Sequence, residues 1–214
     1  FVNKPIRTKS RPYTTARYCS RIAGIIAGTL MTISCTYAPL PEVIGCDVWT
    51  KEEMDTMAGA GKLFFFFDGE KVKLARGINS LVTTVQDKGT SFQKIKLVDL
   101  MDMMHDDIRT TAQDHYLGKY ANSYANRCLL VTAIQGYLDQ LAQEGLLEQD
   151  QNTAYIDVES TKIWLESNGK YTKAELADMS DMDIKLANIG SNVFIAVKAS
   201  LLDAMEDVTI TINI

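Results

Sequence analysis

Leu97-Val98-Asp99-Leu100-Met101-Asp102-Met103-Met104-His105-Asp106-Asp107-Ile108-Arg109-Thr110-Thr111-Ala112-Gln113-Asp114-His115 decides the architecture of this chain. Leu97, Leu100, Met101, Met104, Ile108, Thr111 and His115 recur at helical spacing and lie on one stripe. Asp99 stands near the start and Gly118 just past the end. A second long helix follows. Leu130, Ile134, Tyr137, Leu138 and Leu141 share its apolar stripe, Asn122 or Ser123 opens it, and Gly145 closes it. Both helices are amphipathic, so each buries one face and leaves the other in water.

Outward toward the N-terminus, the pattern changes to strands. Leu63-Phe64-Phe65-Phe66-Phe67 has no alternation and reads as a strand covered on both faces. Asp68-Gly69 is a tight-turn signal, and Val72-Lys73-Leu74-Ala75 returns as the partner strand. Exposed phenylalanines would invite aggregation, so this hairpin is expected to be covered. A further strand is expected over 94–97. Thr50 caps a short helix, with Glu53 as its capping-box partner. Thr14 or Thr15 caps a helix over about 16–31, whose Gly24 and Gly28 each cost about 1 kcal/mol against Ala. Between these helices, the stretch from Ser34 to Trp49 with Pro39 and Pro41 reads as irregular.

Outward toward the C-terminus, 148–152 reads as a loop and 154–158 as a strand. Short helices are expected over 160–167, 173–177 and 182–187, and a strand over 192–199. The last stretch is Asp207-Val208-Thr209-Ile210-Thr211-Ile212-Asn213-Ile214, which alternates polar and apolar without a fault. Val208, Ile210, Ile212 and Ile214 would form the buried face of a strand. It either pairs within its own domain or adds to a sheet in another molecule, a mode in which ladder hydrogen bonds give strength and alternate side chains give selectivity. The organisation is α+β: a mixed sheet packed by two long amphipathic helices, with a C-terminal strand arm. Residues 1–200 read as the core and 201–214 as hinge and arm.

Composition is that of an ordinary globular protein of 214 residues with net charge −5. That balance argues against wrapping nucleic acid, which needs clustered Lys and Arg. Lys4, Arg7, Lys9, Arg11, Arg17 and Arg21 are a local basic exception, best read as a solvated or subunit-facing surface because only Tyr13 and Tyr18 are interleaved. The apolar stretch 22–30 is too short and too broken for a membrane span, and no signal peptide is visible. The first residue is Phe1, which suits a piece of a longer protein. Cys19, Cys35, Cys46 and Cys128 have no ligand spacing, and reduced, mostly buried thiols are expected.

One cluster could carry chemistry: Asp99, Asp102, His105, Asp106, Asp107, Asp114 and His115. A metal-dependent hydrolase using the 102–115 helix is the alternative reading. Its histidines lie ten residues apart, whereas helical metal motifs place two one turn apart. Asp106 with Arg109 is better explained as a surface ion pair. There is no G-x-S-x-G elbow and no phosphate-cradling loop. No catalytic residue, metal ligand or cofactor is therefore assigned.

An ordered set of motifs carries a resemblance. Asp106-Asp107-Ile108-Arg109, Tyr116-Leu117-Gly118-Lys119, Asn122, Asn126-Arg127-Cys128-Leu129-Leu130, Ala133-Ile134, Tyr137-Leu138, Leu141 and Gly145 resemble the C-terminal half of contractile-tail sheath proteins. These occur in phages, defective prophages and phage-tail-like bacteriocins. Arg76-Gly77-Ile78-Asn79-Ser80-Leu81 resembles a family stretch upstream of the long helix, and Leu202-Asp203-Ala204-Met205-Glu206-Asp207 resembles the family's ending. Members are longer and carry further material before this region. The resemblance implies a structural role without enzymatic activity or nucleotide use. Hexameric rings of identical subunits would stack helically around a tail tube, with baseplate and tail-terminator proteins as further partners, and would contract to drive the tube through a cell envelope. It implies a place in a virion tail or tail-like particle, assembled in the bacterial host cytoplasm, with neither nucleic-acid binding nor membrane insertion. The arm residues Val208, Thr209, Ile210, Thr211, Ile212, Asn213 and Ile214 would link subunits, and Leu201, Leu202, Asp203 and Ala204 would serve as hinge.

Overall fold

In the computed structural model, which describes residues 1–4, 6–86 and 88–213, the chain divides into two units: Phe1–Asp102 with Asp203–Ile214, and Met103–Leu202. Among the described residues three small sheets, each antiparallel, take the place of the single mixed sheet expected, so the α+β class stands but the sheet is subdivided.

The first unit opens with β1 (Ile6–Thr8), β2 (Pro12–Tyr13) and α1 (Thr15–Gly28), capped by Thr14, whose side chain accepts from the Arg17 amide. β3 (Val43–Gly45) completes a sheet of order β2-β1-β3. None of these three strands shows in the sequence pattern, because each is two or three residues long and two of the partners are separated by α1. α2 (Lys51–Gly59) has the expected Thr50–Glu53 capping box. β4 (Phe65–Phe67) pairs with β5 (Val72–Leu74), and Gly69 takes φ +103° in the turn between them. Phe64 and Phe65 are buried, but Phe67 is half exposed, which corrects the reading of a run covered on both faces. Burial falls from Phe65 to Phe67, a gradient that a run of one residue type cannot display in sequence.

Phe65 is the centre of the core, with Phe1 and Tyr18 rings 5.1 and 5.8 Å away. Asn3, fully buried, fixes the N-terminus to β4. Its Nδ2 donates to the Phe65 carbonyl at 2.9 Å and its Oδ1 accepts from the Phe65 amide at 2.8 Å, so the side chain imitates a strand neighbour.

After a 3₁₀ turn (Thr90–Gln93) comes α3 (Ile95–His115), not the strand expected over 94–97. Lys94 does make one antiparallel bridge, with Ile78, but the Ile95 amide donates to Gly77 and the helix begins there. Leu97, Leu100 and Met104 are buried as expected; Thr111 and His115 are exposed, so the stripe fades over the last turn.

In the second unit α4 (Tyr124–Gln143) is capped by Ser123 and buries Leu130, Ile134, Leu138 and Leu141. Gly145 stops it in the left-handed conformation at φ +75°. β6 (Thr153–Ile156) pairs with β7 (Ile195–Lys198), and α4 packs on β6. Between the strands α5 (Val158–Ser167), α6 (Lys173–Asp178) and α7 (Asp181–Leu186) enclose Leu165, Leu176, Ile184 and Ile189. The strand expected over 154–158 stops at Ile156, because Asp157 caps α5 through its carboxylate. Tyr137 of α4 donates its hydroxyl to Asp107 at 2.7 Å. Burial first, and then this bond, raise the Tyr137 phenol well above its ordinary value. Tyr137→Phe is expected to lower the unfolding free energy by about 0.5–1.5 kcal/mol, read from the urea midpoint.

Cys19 is exposed, Cys35 buried and Cys46 and Cys128 half-buried, all as free thiols, so burial is less general than expected. Among the described residues no helix is long and apolar enough to cross a membrane.

Candidate subunit interface

The alternating segment sits on the first unit without a sheet partner: no strand is formed over 202–213 among the described residues. Val208, Ile210 and Ile212 are 75, 78 and 79% exposed, and Thr209, Thr211 and Asn213 are exposed with them. Ile214 lies outside the described residues.

What fixes the segment is its root. The Glu206 side chain is only 4% exposed. Its Oε1 accepts from the Ser34 hydroxyl at 2.9 Å and from the Thr36 hydroxyl at 2.5 Å. Its Oε2 is paired with Lys94 and, at 3.4 Å, with Arg76. Arg76 also holds both oxygens of Asp207, Nη1 at 3.1 Å to one and Nη2 to the other, in a fork that suits a carboxylate. Lys94 pairs additionally with Asp203 at 3.4 Å.

The local fold builds this clamp from three pieces of backbone. The Gly77 amide donates to the Thr36 hydroxyl at 2.8 Å, and a Cβ added at Gly77 would lie 2.8 Å from Ser34 Oγ and 3.0 Å from Cys35 Sγ. Any larger residue here would force the Ser34 or Cys35 side chain to shift, so glycine suits the close approach of the 76–77 backbone. Asn79 then ties the same segment to the 3₁₀ turn: its Nδ2 donates to the Phe92 carbonyl at 2.7 Å, and its amide donates to the Gln93 carbonyl. Together with the Ile78–Lys94 bridge this sets Lys94 against Glu206.

The charges follow from that geometry. Burial alone would raise the Glu206 carboxyl, but bonds from Lys94, Thr36 and Ser34 outweigh it and hold the group below its ordinary value. Arg76 does the same for Asp207. Lys94 is lowered by burial and raised more by Glu206 and Asp203, so it stays charged.

The residues expected to serve as hinge are anchored too. Leu201 bridges Leu147, and the Leu202 amide donates to the Leu146 carbonyl at 3.0 Å within the second unit. Asp203 makes its ion pair within the first, and Ala204 follows with its amide on the Asp203 carboxylate at 2.7 Å.

The acidic and histidine cluster is dispersed along α3. Asp102, His105, Asp106, Asp114 and His115 are exposed; Asp106 pairs with Arg109 at 3.2 Å, and Asp107 takes the Tyr137 hydroxyl. Among the described residues no three His, Cys, Asp or Glu side chains are grouped to hold a metal.

Sequence reasoning missed Ser34, Thr36, Arg76, Lys94 and Glu206 as a unit. The available signal was the pair of motifs 76–81 and 202–207, which are far apart in the chain and meet here, Arg76-Gly77 against Glu206-Asp207.

Residues 87–214 match the family model described as the phage tail sheath C-terminal domain. The tail sheath protein of Clostridium phage phiCD119 is 42% identical over 200 residues, covering 94% of this chain and 55% of that protein. The chain thus spans about half the length of the curated relative it matches. Among solved structures, the sheath tail protein of Desulfitobacterium hafniense is similar with a TM-score of 0.64 at 22% identity, over 73% of this chain and 38% of that one. The helical sheath of the anti-feeding prophage in its contracted state gives a TM-score of 0.65 at 15% identity, over 99% and 54%. At these identities the structural likeness speaks for the fold.

Proposed function

This chain belongs to the phage tail sheath family, and from that premise we propose that it is a structural subunit of a contractile sheath that polymerises around a tail tube and shortens to drive the tube through a cell envelope. Its partners in this reading are copies of itself in stacked hexameric rings, the tube protein, and baseplate and terminator proteins. It acts in a virion tail or tail-like particle built in the host cytoplasm, and it acts by assembly, not by chemistry.

The observation that carries the reading is an apolar strand face left in water on a root that is firmly held. Val208, Ile210 and Ile212, with Ile214, would be buried when the arm adds to a sheet of a neighbouring copy, while Thr209, Thr211 and Asn213 would share the ladder hydrogen bonds on the opposite face. Leu201, Leu202, Asp203 and Ala204 are the hinge in this reading: the Leu202 amide is held to Leu146 and Asp203 to Lys94, so a bend between residues 202 and 203 breaks neither contact.

Hydrogen exchange tests this directly. Amides of 208–213 are expected to exchange freely in a dilute monomer and to become strongly protected in polymerised tubes. Protection already present in the monomer would place the strand at home and defeat the proposal.

A further inference from the structure

Among the described residues the second unit contains a buried cation without an acid beside it. Arg127, in the first turn of α4, is 3% exposed. Its Nη2 donates to the Ala187 carbonyl at 3.3 Å, while Nε and Nη1 have no hydrogen-bond partner. It lines a cavity of about 410 Å³ together with Tyr116, Leu117, Tyr120, Asn122 and Val193, and no lining residue is acidic. Asn122 adds a second orphan: its Nδ2 donates to the Gly190 and Asn192 carbonyls at 2.7 Å each, leaving the buried Oδ1 with no donor. The cavity also lies beside the first turn of a 20-residue helix, whose dipole favours an anion.

A guanidinium withdrawn from water is costly unless paired with a carboxylate or phosphate. We infer that this cavity receives an acidic side chain from a second copy of this chain, an inference that rests on the sheath reading above. A carboxylate pairs with Arg127, and the peptide N–H that accompanies it in a polypeptide serves Asn122 Oδ1; a free anion satisfies only the first. Charge complementarity supports the choice of donor. Acidic residues outnumber basic ones more than two to one over 97–214, so the copies carry carboxylates to spare. Leu117 and Tyr120, both 53% exposed, offer an apolar rim to the incoming chain.

The test uses Arg127→Gln and Arg127→Lys in the full chain, with tube formation counted by electron microscopy and folding checked by thermal melts. Arg127→Gln is expected to stay folded, with a melting midpoint at or above that of the parent because an unpaired buried charge is gone, and to form at least tenfold fewer tubes. Arg127→Lys, which keeps the charge but not the fork, is expected to lie between. Normal tube formation by folded Arg127→Gln overturns the proposal. Sodium acetate serves as a probe that does not depend on the variant folding. At equal ionic strength it is expected to shift the Arg127 Nε–H resonance of a dilute monomer, and to suppress tube formation, where sodium chloride does neither. A response of Nε–H to acetate with assembly untouched reassigns the cavity to a free anion and overturns the second-copy occupant. If the parent chain itself forms no tubes, the sheath reading fails on its own, while an Nε–H unmoved by acetate still refutes the carboxylate site.

Discussion

A chain ending at Asp207 is expected to fold as the parent does and to form no tubes at all. The side chains of Val208, Ile210 and Ile212 stand in water, so their removal leaves no cavity. Surface changes of this kind alter stability by no more than about 0.5 kcal/mol. Assembly should respond in the opposite way. Burying each of the three would contribute roughly 1.5–3 kcal/mol per subunit contact, added to the ladder hydrogen bonds and opposed by roughly 1–2 kcal/mol per residue for ordering the backbone. The balance is narrow, so loss of the apolar face suffices to tip it. Ile210→Asp with Ile212→Asp should therefore abolish polymerisation as completely as truncation, since a carboxylate on that face cannot be buried unpaired. Sedimentation and electron microscopy read the assembly, and thermal melts read the fold. Tubes of ordinary length from either variant, with unchanged melting, would mean that the arm is not the link.

The parts of this fold that were legible are those whose signals are local. The stripe Leu130, Ile134, Leu138 and Leu141 with Ser123 before it and Gly145 after it spells out α4, because periodicity, cap and stop all lie within one segment. The same holds for Thr50 with Glu53 and for the Asp68-Gly69 turn. What was hidden depends on residues distant in sequence. β3 is a strand only because it meets β1 across 35 residues, and Lys94 begins no strand because Gly77, far upstream, supplies the carbonyl that starts α3. Asn3 looks like an ordinary polar residue until Phe65 is placed beside it. The candidate interface divides along the same line. The alternation of 207–214 could be read directly, whereas the clamp beneath it brings Ser34, Thr36, Arg76 and Lys94 from three regions to Glu206, and no spacing rule joins them. The cluster on α3 shows the converse: acids and histidines close in sequence, yet turned to solvent around the helix.

Glu206→Lys is expected to release the root of the arm. The substitution sets a third cation between Lys94 and Arg76 and leaves the Thr36 hydroxyl without its acceptor, while Ser34 keeps Thr36 Oγ1 at 2.9 Å. Glu206→Gln is the milder companion. It keeps an oxygen for the two hydroxyls but loses charge-assisted bonds that are worth about 1.5–3 kcal/mol together when partly screened, as here, where Lys94 and Arg76 are about a quarter exposed. Exchange of the amides over 203–207 should accelerate in both, more in the lysine variant. The pH dependence has a definite sign. The carboxyls of Glu206 and Asp207 lie below their unfolded values, so their contribution is complete above roughly pH 4 to 4.5 and is lost as pH falls through the lowered native values. Lys94 lies above its unfolded value, so its share is complete below roughly pH 10 and is lost only on further rise. The parent's root should thus be protected evenly from about pH 5 to 9 and loosen on acidification below about pH 4, once intrinsic exchange chemistry is corrected for. In Glu206→Gln the acid-dependent step should shrink to what Asp207 supplies. A root whose protection ignores both the substitution and the acid limb would show that the ion pairs only accompany the arm's position, and that backbone packing sets it.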